Sequence, residues 1–219
     1  MTTDAFVDDG LRRDGDQELP LGPRARATRT AILHAAAAEF SANGYANTSV
    51  AQVATAAGVS LGTVYQYFRD RADLIVVLVR GRVAGRMNAA EVGWKADDGL
   101  EGLERMLKNF IGAYAEVAAL AAVWEEVVHV EPELADLRRR LGRQFTNAVE
   151  AELKRAQRKS LVRDGIAADI AARALTSMVD RFCFVTYVFD PPDAGPPAPA
   201  DAARELARLW AHAIGLAGA

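Results

Sequence analysis

An all-α fold is predicted by three features of the 219-residue chain. Apolar residues recur at helical spacing in almost every segment. No run alternates apolar and polar residues as a strand does. Asn-Gly, Asp-Gly and proline clusters cut the sequence into pieces of helix length.

Residues 1–23 are acidic, poor in apolar side chains and punctuated by Gly and Pro, and are expected to be a disordered tail. Helical spacing begins in "RARATRTAILHAAAAEFSANG", where Leu33, Ala36, Ala37 and Phe40 share one stripe. Asn43-Gly44 is a stop, with Gly44 free to take positive φ. In "TSVAQVATAAG", Ser49 and Gln52 fit a capping box and Gly58 ends a short helix. Ser60 can cap "LGTVYQYF", and Asp70 can cap a longer helix running from Arg71 to about residue 92.

Further helices are expected at about 99–120 and 122–129. Pro132 suits the first turn of a long amphipathic one carrying Leu134, Leu137, Leu141, Phe145, Val149 and Leu153 on one stripe. Asp164-Gly165 breaks it. Residues 167–189 are apolar on more than one face, which asks for a partner beyond one small bundle. "DPPDAGPPAPA" cannot be helical, and a last helix follows at about 201–216.

Composition narrows the function. A chain 51% hydrophobic and 25% charged is an ordinary globular one, large enough to bury a core. The single cysteine, Cys183, excludes an internal disulfide and suits burial as a packing residue. No apolar run reaches the ~18 residues of a membrane span and the N-terminus lacks a signal-peptide core, so a cytoplasmic protein without a membrane partner is expected. Net charge is −3, yet residues 24–71 carry a net +3 between more acidic flanks. A basic island of this kind points weakly to nucleic acid. No nucleophile–base pairing, metal cluster or Gly-rich phosphate loop is visible, so no enzyme and no cofactor are expected. Glu125 and His129 stand i, i+4, but two ligands are too few for a metal site.

Two short helices joined by a four-residue turn holding Gly58 make a helix-turn-helix. Val53, Ala54 and Ala57 of the first, with Val59, Val64 and Phe68, form its inner side. Leu61, Gly62, Thr63, Tyr65, Gln66 and Tyr67 are left to project. Hydroxyls and a helix N-terminus suit phosphate, Gln66 can read a base edge, and Tyr65 or Leu61 can touch a thymine methyl.

The string A-G-V-S-x-G-T-x-Y-x-Y-F, within "FSANGYANTSVAQVATAAGVSLGTVYQYFRDRADLI", resembles the DNA-binding domain of the TetR family of bacterial regulators. The resemblance covers residues 27–75. It implies an N-terminal three-helix DNA-binding domain (24–71) and a C-terminal helical ligand-binding and dimerisation domain (72–219). It implies that Thr63, Tyr67 and Arg71 contact phosphates and that Leu61, Gly62, Tyr65 and Gln66 face bases, with Thr48 and Ser49 completing the DNA-binding set. Arg71 stands where many members have lysine, and Ala72 where many have an acid. Arg24, Arg26 and Arg29 are expected either as a minor-groove arm or as a solvated basic stretch. Tyr67→Phe together with Arg71→Ala is expected to lower operator affinity across all sequences and to leave the fold intact.

By the same resemblance the C-terminal core encloses an effector pocket, to which Phe110, Tyr114, Trp124, Phe145, Met178, Arg181 and Phe182 are assigned. Arg181 either recognises an anionic head group or joins an ion pair beside Asp180. The implied partners are a palindromic double-stranded DNA operator, a small hydrophobic effector and a second copy of the chain. The implied activity is repression relieved when the effector moves the helix that starts at Arg71, with Gly81 and Gly85 easing a close crossing; the alternative is a regulator that activates or answers to no small molecule.

Overall fold

Local capping chemistry sets the boundaries of the first helices. The computed structural model describes residues 22–84, 93–193 and 195–216. The expected acidic tail, the end of the helix that starts at Arg71 and Gly85 lie outside the described residues, apart from Gly22 and Pro23.

Helix α1 spans Pro23–Asn43, its proline in the first turn where a missing N–H costs nothing. Ile32, Leu33, Ala36, Ala37 and Phe40 are its buried face. Gly44 closes it at φ 76°, its N–H on the Phe40 carbonyl. α2 spans Val50–Ala56 behind a complete Ser49–Gln52 capping box. Gly58, at φ 67°, turns the chain into α3, Leu61–Tyr67, where the Ser60 hydroxyl accepts from the Thr63 N–H. Asp70 caps α4, Arg71–Leu78, which widens into a π-helical turn over Val79–Ala84 containing Gly81.

The cap of α4 is reciprocal: the Asp73 N–H donates to Asp70 and the Asp73 carboxylate accepts from the Arg69 N–H at 3.0 Å. Asp73 thus supplies the local cap whose acid is missing at Ala72. α1 packs on α2 and α4, and α2 packs on α3. Val53, Val64, Phe68 and Leu74 are sealed at their centre.

After a 3-10 turn at Ala96–Asp98, α5 runs Gly99–Glu116 and α6 runs Ala118–Val127. The break falls at Val117, earlier than its position near residue 121 in the sequence reading. No Gly or Pro marks it, so the pattern gave nothing to place it. α7 is the long amphipathic helix, Pro132–Arg158, with Leu134, Leu137, Phe145, Val149 and Leu153 buried and Leu141 half-buried. α8 spans Ala168–Phe184 and ends in a π-helical turn, and α9 spans Pro199–Ile214. α9 lies along α5, and α8 touches both.

The helices form two compact units. One holds the described residues up to 84 with 119–138; the other holds those from 93 to 118 with 139–216. In the second, Trp210, Leu103, Leu107, Ile111 and Leu153 are almost wholly buried. At about 1.5–3 kcal/mol per buried large apolar side chain, burial dominates its stability. Cys183 is buried; burial first, then the nearby Asp180 charge, push its thiol well above the ordinary range. Among the described residues there is no strand, and no single helix is long and apolar enough to cross a membrane.

Candidate functional site

α3 presents the outward face its sequence suggested. Leu61 is 42% exposed and Tyr65 52% exposed, and Gln66 and Gly62 are also open. A Cβ placed on Gly62 would meet only the Ser60 hydroxyl, at 3.8 Å, so another surface can approach the backbone closely there. Val64 and Phe68, fully buried on the opposite side, fix the helix in place.

Thr63 and Tyr67 are half-buried and face an open cleft of about 420 Å³ with Arg24 and Thr28 of α1. Three hydroxyls and a guanidinium are therefore gathered within one unit. Arg24, Arg26 and Arg29 form neither a free arm nor a solvated coil: all three lie on α1. Arg29 is 4% exposed, its guanidinium 5.4 Å from the Phe68 ring centroid. Helix propensity and the Phe68 face favour an ordered first turn over an arm.

Other expected DNA-binding residues are turned to internal work. Thr48 is 1% exposed, and its hydroxyl donates to the carbonyls of Glu39 and Gly44. The Ser49 hydroxyl is used in the capping box. One Arg71 terminal nitrogen donates to the carbonyls of Tyr45, Ala46 and Thr48, at 2.9, 3.2 and 3.1 Å. The guanidinium also lies 4.1 Å from the Tyr45 ring centroid, and Tyr45 stacks on Phe40. Arg71 therefore clamps the α1–α2 loop, so its removal takes internal contacts away as well as a surface charge. On α6, Glu126 grips the same loop: its carboxylate accepts from the Tyr45 N–H at 2.9 Å. A Cβ on Gly44 would come within 3.1 Å of that carboxylate, which is a second reason for glycine there.

The second unit holds a cavity of about 390 Å³. Trp94, Met106, Phe145 and Val149 supply apolar wall, and Lys95, Glu152, Arg155 and Arg158 supply charge. Of the seven residues assigned to an effector pocket, only Phe145 lines this cavity. Phe110 stands behind it, stacked on Phe145 at 4.8 Å. Tyr114 is buried, while Trp124 is buried in the other unit under the Arg138 guanidinium. Phe182 packs edge-on against Tyr187, Met178 is half-buried, and Arg181 is exposed over the Phe184 ring at 4.9 Å.

Glu152 anchors the cavity mouth. It is 5% exposed and accepts from the Ala96 N–H at 2.7 Å and from Arg155 at 2.8 and 2.5 Å, with Lys95 3.6 Å away. Burial pushes its carboxyl up, but those hydrogen bonds and charges outweigh it and hold it below the ordinary value. Asp97 accepts from Lys159 and Arg155, which hold its carboxyl low as well. Trp94, Glu152, Arg155 and Arg158 carried no sequence signal except an acid and a base spaced i, i+3 on α7. Glu125 pairs with Arg138, and His129 is exposed. No group of three or more possible ligands for a metal occurs among the described residues.

Residues 32–78 match the model for "Bacterial regulatory proteins, tetR family". Over these residues the chain is similar to TetR-family regulators. The transcriptional regulator TtgR of Pseudomonas putida is 27% identical over 165 residues, 71% of this chain and 78% of TtgR. ArpR, also of Pseudomonas putida, is 29% identical over 114 residues; the match covers 51% of this chain and about half, 54%, of ArpR. The regulator FadR from Bacillus subtilis, solved with stearoyl-CoA, superposes with a TM-score of 0.64 at 20% identity, covering 85% of this chain and 99% of FadR. That likeness shows the fold alone.

Proposed function

We propose that this protein is a TetR-family regulator that represses transcription as a homodimer on a palindromic operator and is released by a small hydrophobic effector. The observation that carries the DNA-reading half is the exposed Leu61–Tyr65–Gln66 face on a helix locked from behind. That face fits a major groove, and the Arg24–Thr63–Tyr67 cleft beside it fits a backbone phosphate. Residues 24–71 read DNA in this proposal, and 72–219 bind effector and partner. Ile170 of α8 and Leu209 of α9 are 66% and 58% exposed, and apolar residues on those helices suit an isologous interface. The effector half is supported by the partly apolar cavity of the second unit and by a protein of the same fold that binds an acyl thioester.

The test is fluorescence anisotropy on duplexes selected from random sequence. Wild type is expected to discriminate its selected site from random duplex, with affinity falling steeply as salt rises. Tyr65→Ala with Gln66→Ala should abolish discrimination while leaving the circular dichroism intact. Undiminished discrimination in that variant rejects the assignment of α3.

A further inference from the structure

The cavity of the second unit has a chemistry more specific than greasiness. Its volume, about 390 Å³, falls in the range of small-molecule sites, ~300–1,000 Å³. One side is ring and chain: Trp94, Met106, Phe145 and Val149. Trp94 is 5% exposed, and its indole N–H is buried with no hydrogen-bond partner in the structure. Such a donor costs free energy unless something accepts from it.

The other side is charged, and the charges do not cancel. Among the described residues Glu152 is the carboxylate that lines it, within ion-pair reach of Lys95 and Arg155. Arg158 also lines the cavity, and it forms no ion pair among the described residues. Among the described lining residues, three cations against one carboxylate leave two positive charges over. Glu152 already accepts from the Ala96 N–H and from Arg155 and pairs with Lys95, so it fixes the wall.

We propose that this cavity binds a small amphipathic anion, its apolar body against Trp94, Met106, Phe145 and Val149 and its carboxylate toward Arg158 and Lys95. A polar acceptor on the ligand takes the Trp94 N–H. This rests on the reading of the chain as an effector-responsive regulator and narrows the effector to an apolar molecule with an acidic head.

Isothermal titration of the full chain with decanoate, 1-decanol and decyltrimethylammonium, all below micellar concentrations, tests it. Decanoate should bind about tenfold more tightly than 1-decanol, a difference of about 1.4 kcal/mol, and the cation more weakly still. Arg158→Glu should weaken decanoate about tenfold and leave 1-decanol unchanged. Ala148 is exposed and lines the cavity, so Ala148→Trp should block decanoate while the helical circular dichroism persists. Trp94→Phe should weaken decanoate several-fold. Equal binding of decanoate and 1-decanol, or decanoate binding untouched by Ala148→Trp, overturns the assignment.

A gel shift on the same preparations separates the two ideas. Operator binding without decanoate binding sinks the cavity assignment alone. Decanoate binding with the stated variant pattern but no DNA binding sinks the regulator reading and leaves the cavity assignment standing. Decanoate is expected to release operator from wild type and not from Ala148→Trp; binding without release overturns its role as effector.

Discussion

Glu126 and Glu152 do the same thing in two different settings. Each is a helix-borne carboxylate that accepts a backbone N–H from a distant loop, Tyr45 at 2.9 Å and Ala96 at 2.7 Å. Glu126 is exposed, whereas Glu152 is buried and shares its oxygens with Arg155. The first tie competes with water and breaks at little cost. The second is charge-assisted and shielded, so breaking it strands a buried group. A loop that must move between states suits the first kind of tie; a wall that must keep its shape suits the second.

The largest expected effect is at Glu152. Glu152→Ala should cost about 2–3 kcal/mol, lowering Tm by roughly 4–12 °C in calorimetry. A loss comparable to that at Glu126 would erase the contrast. The same tie predicts acid sensitivity. The Glu152 carboxyl is held low in the fold, so its contribution is complete above about pH 4.3, the ordinary glutamate value, and is lost as pH falls through the folded-state value. Glu152→Gln should flatten that fall in Tm between about pH 5 and about pH 3; an unchanged slope would assign it elsewhere.

Next in size is Arg71→Ala, which removes three bonds to carbonyls of the α1–α2 loop and the contact with Tyr45. A loss of about 1.5–2.5 kcal/mol is expected in urea titration, together with weaker operator binding. Arg71→Lys should restore part of the stability. A fully stable Arg71→Ala variant with weak operator binding would return Arg71 to direct phosphate contact.

Ser49→Ala should cost about 1 kcal/mol, because it deletes the side-chain half of the α2 capping box. The smallest effect belongs to Glu126→Ala, about 0.5–1 kcal/mol, with faster hydrogen exchange at the Tyr45 amide as its local signature. Unaltered exchange there would show that the exposed tie is not formed in solution.

The contrast also explains what can be read from the chain. The caps at Ser49, Ser60 and Asp70 need only residues within three positions, so the sequence displays them whole. The face of α3 is legible for the same reason: Val64 and Phe68 on one side imply Leu61 and Tyr65 on the other. The clamp of Arg71 on Tyr45 joins positions 26 apart, and that of Glu152 on Ala96 joins positions 56 apart. No periodicity encodes such pairs. Rings at Phe110, Tyr114 and Phe182 read as pocket wall because they are apolar, and apolar spacing cannot tell a cavity wall from solid core. Arg24, Arg26 and Arg29 read as an arm or a solvated stretch because charge alone does not reveal that Phe68 waits beneath one of them.

Cys183 has a practical consequence. It is the only cysteine of the chain, it is fully buried, and its thiol is pushed far from ionisation at neutral pH. Thiolates are the species that attack maleimide and nitroxide labelling reagents, so the native protein should stay unlabelled while folded. A cysteine placed on the open side of α3 can then carry a spin label or a dye without a thiol-free background. The distance between two such probes in a pair of chains would report the reading-head spacing directly, with and without an acidic ligand.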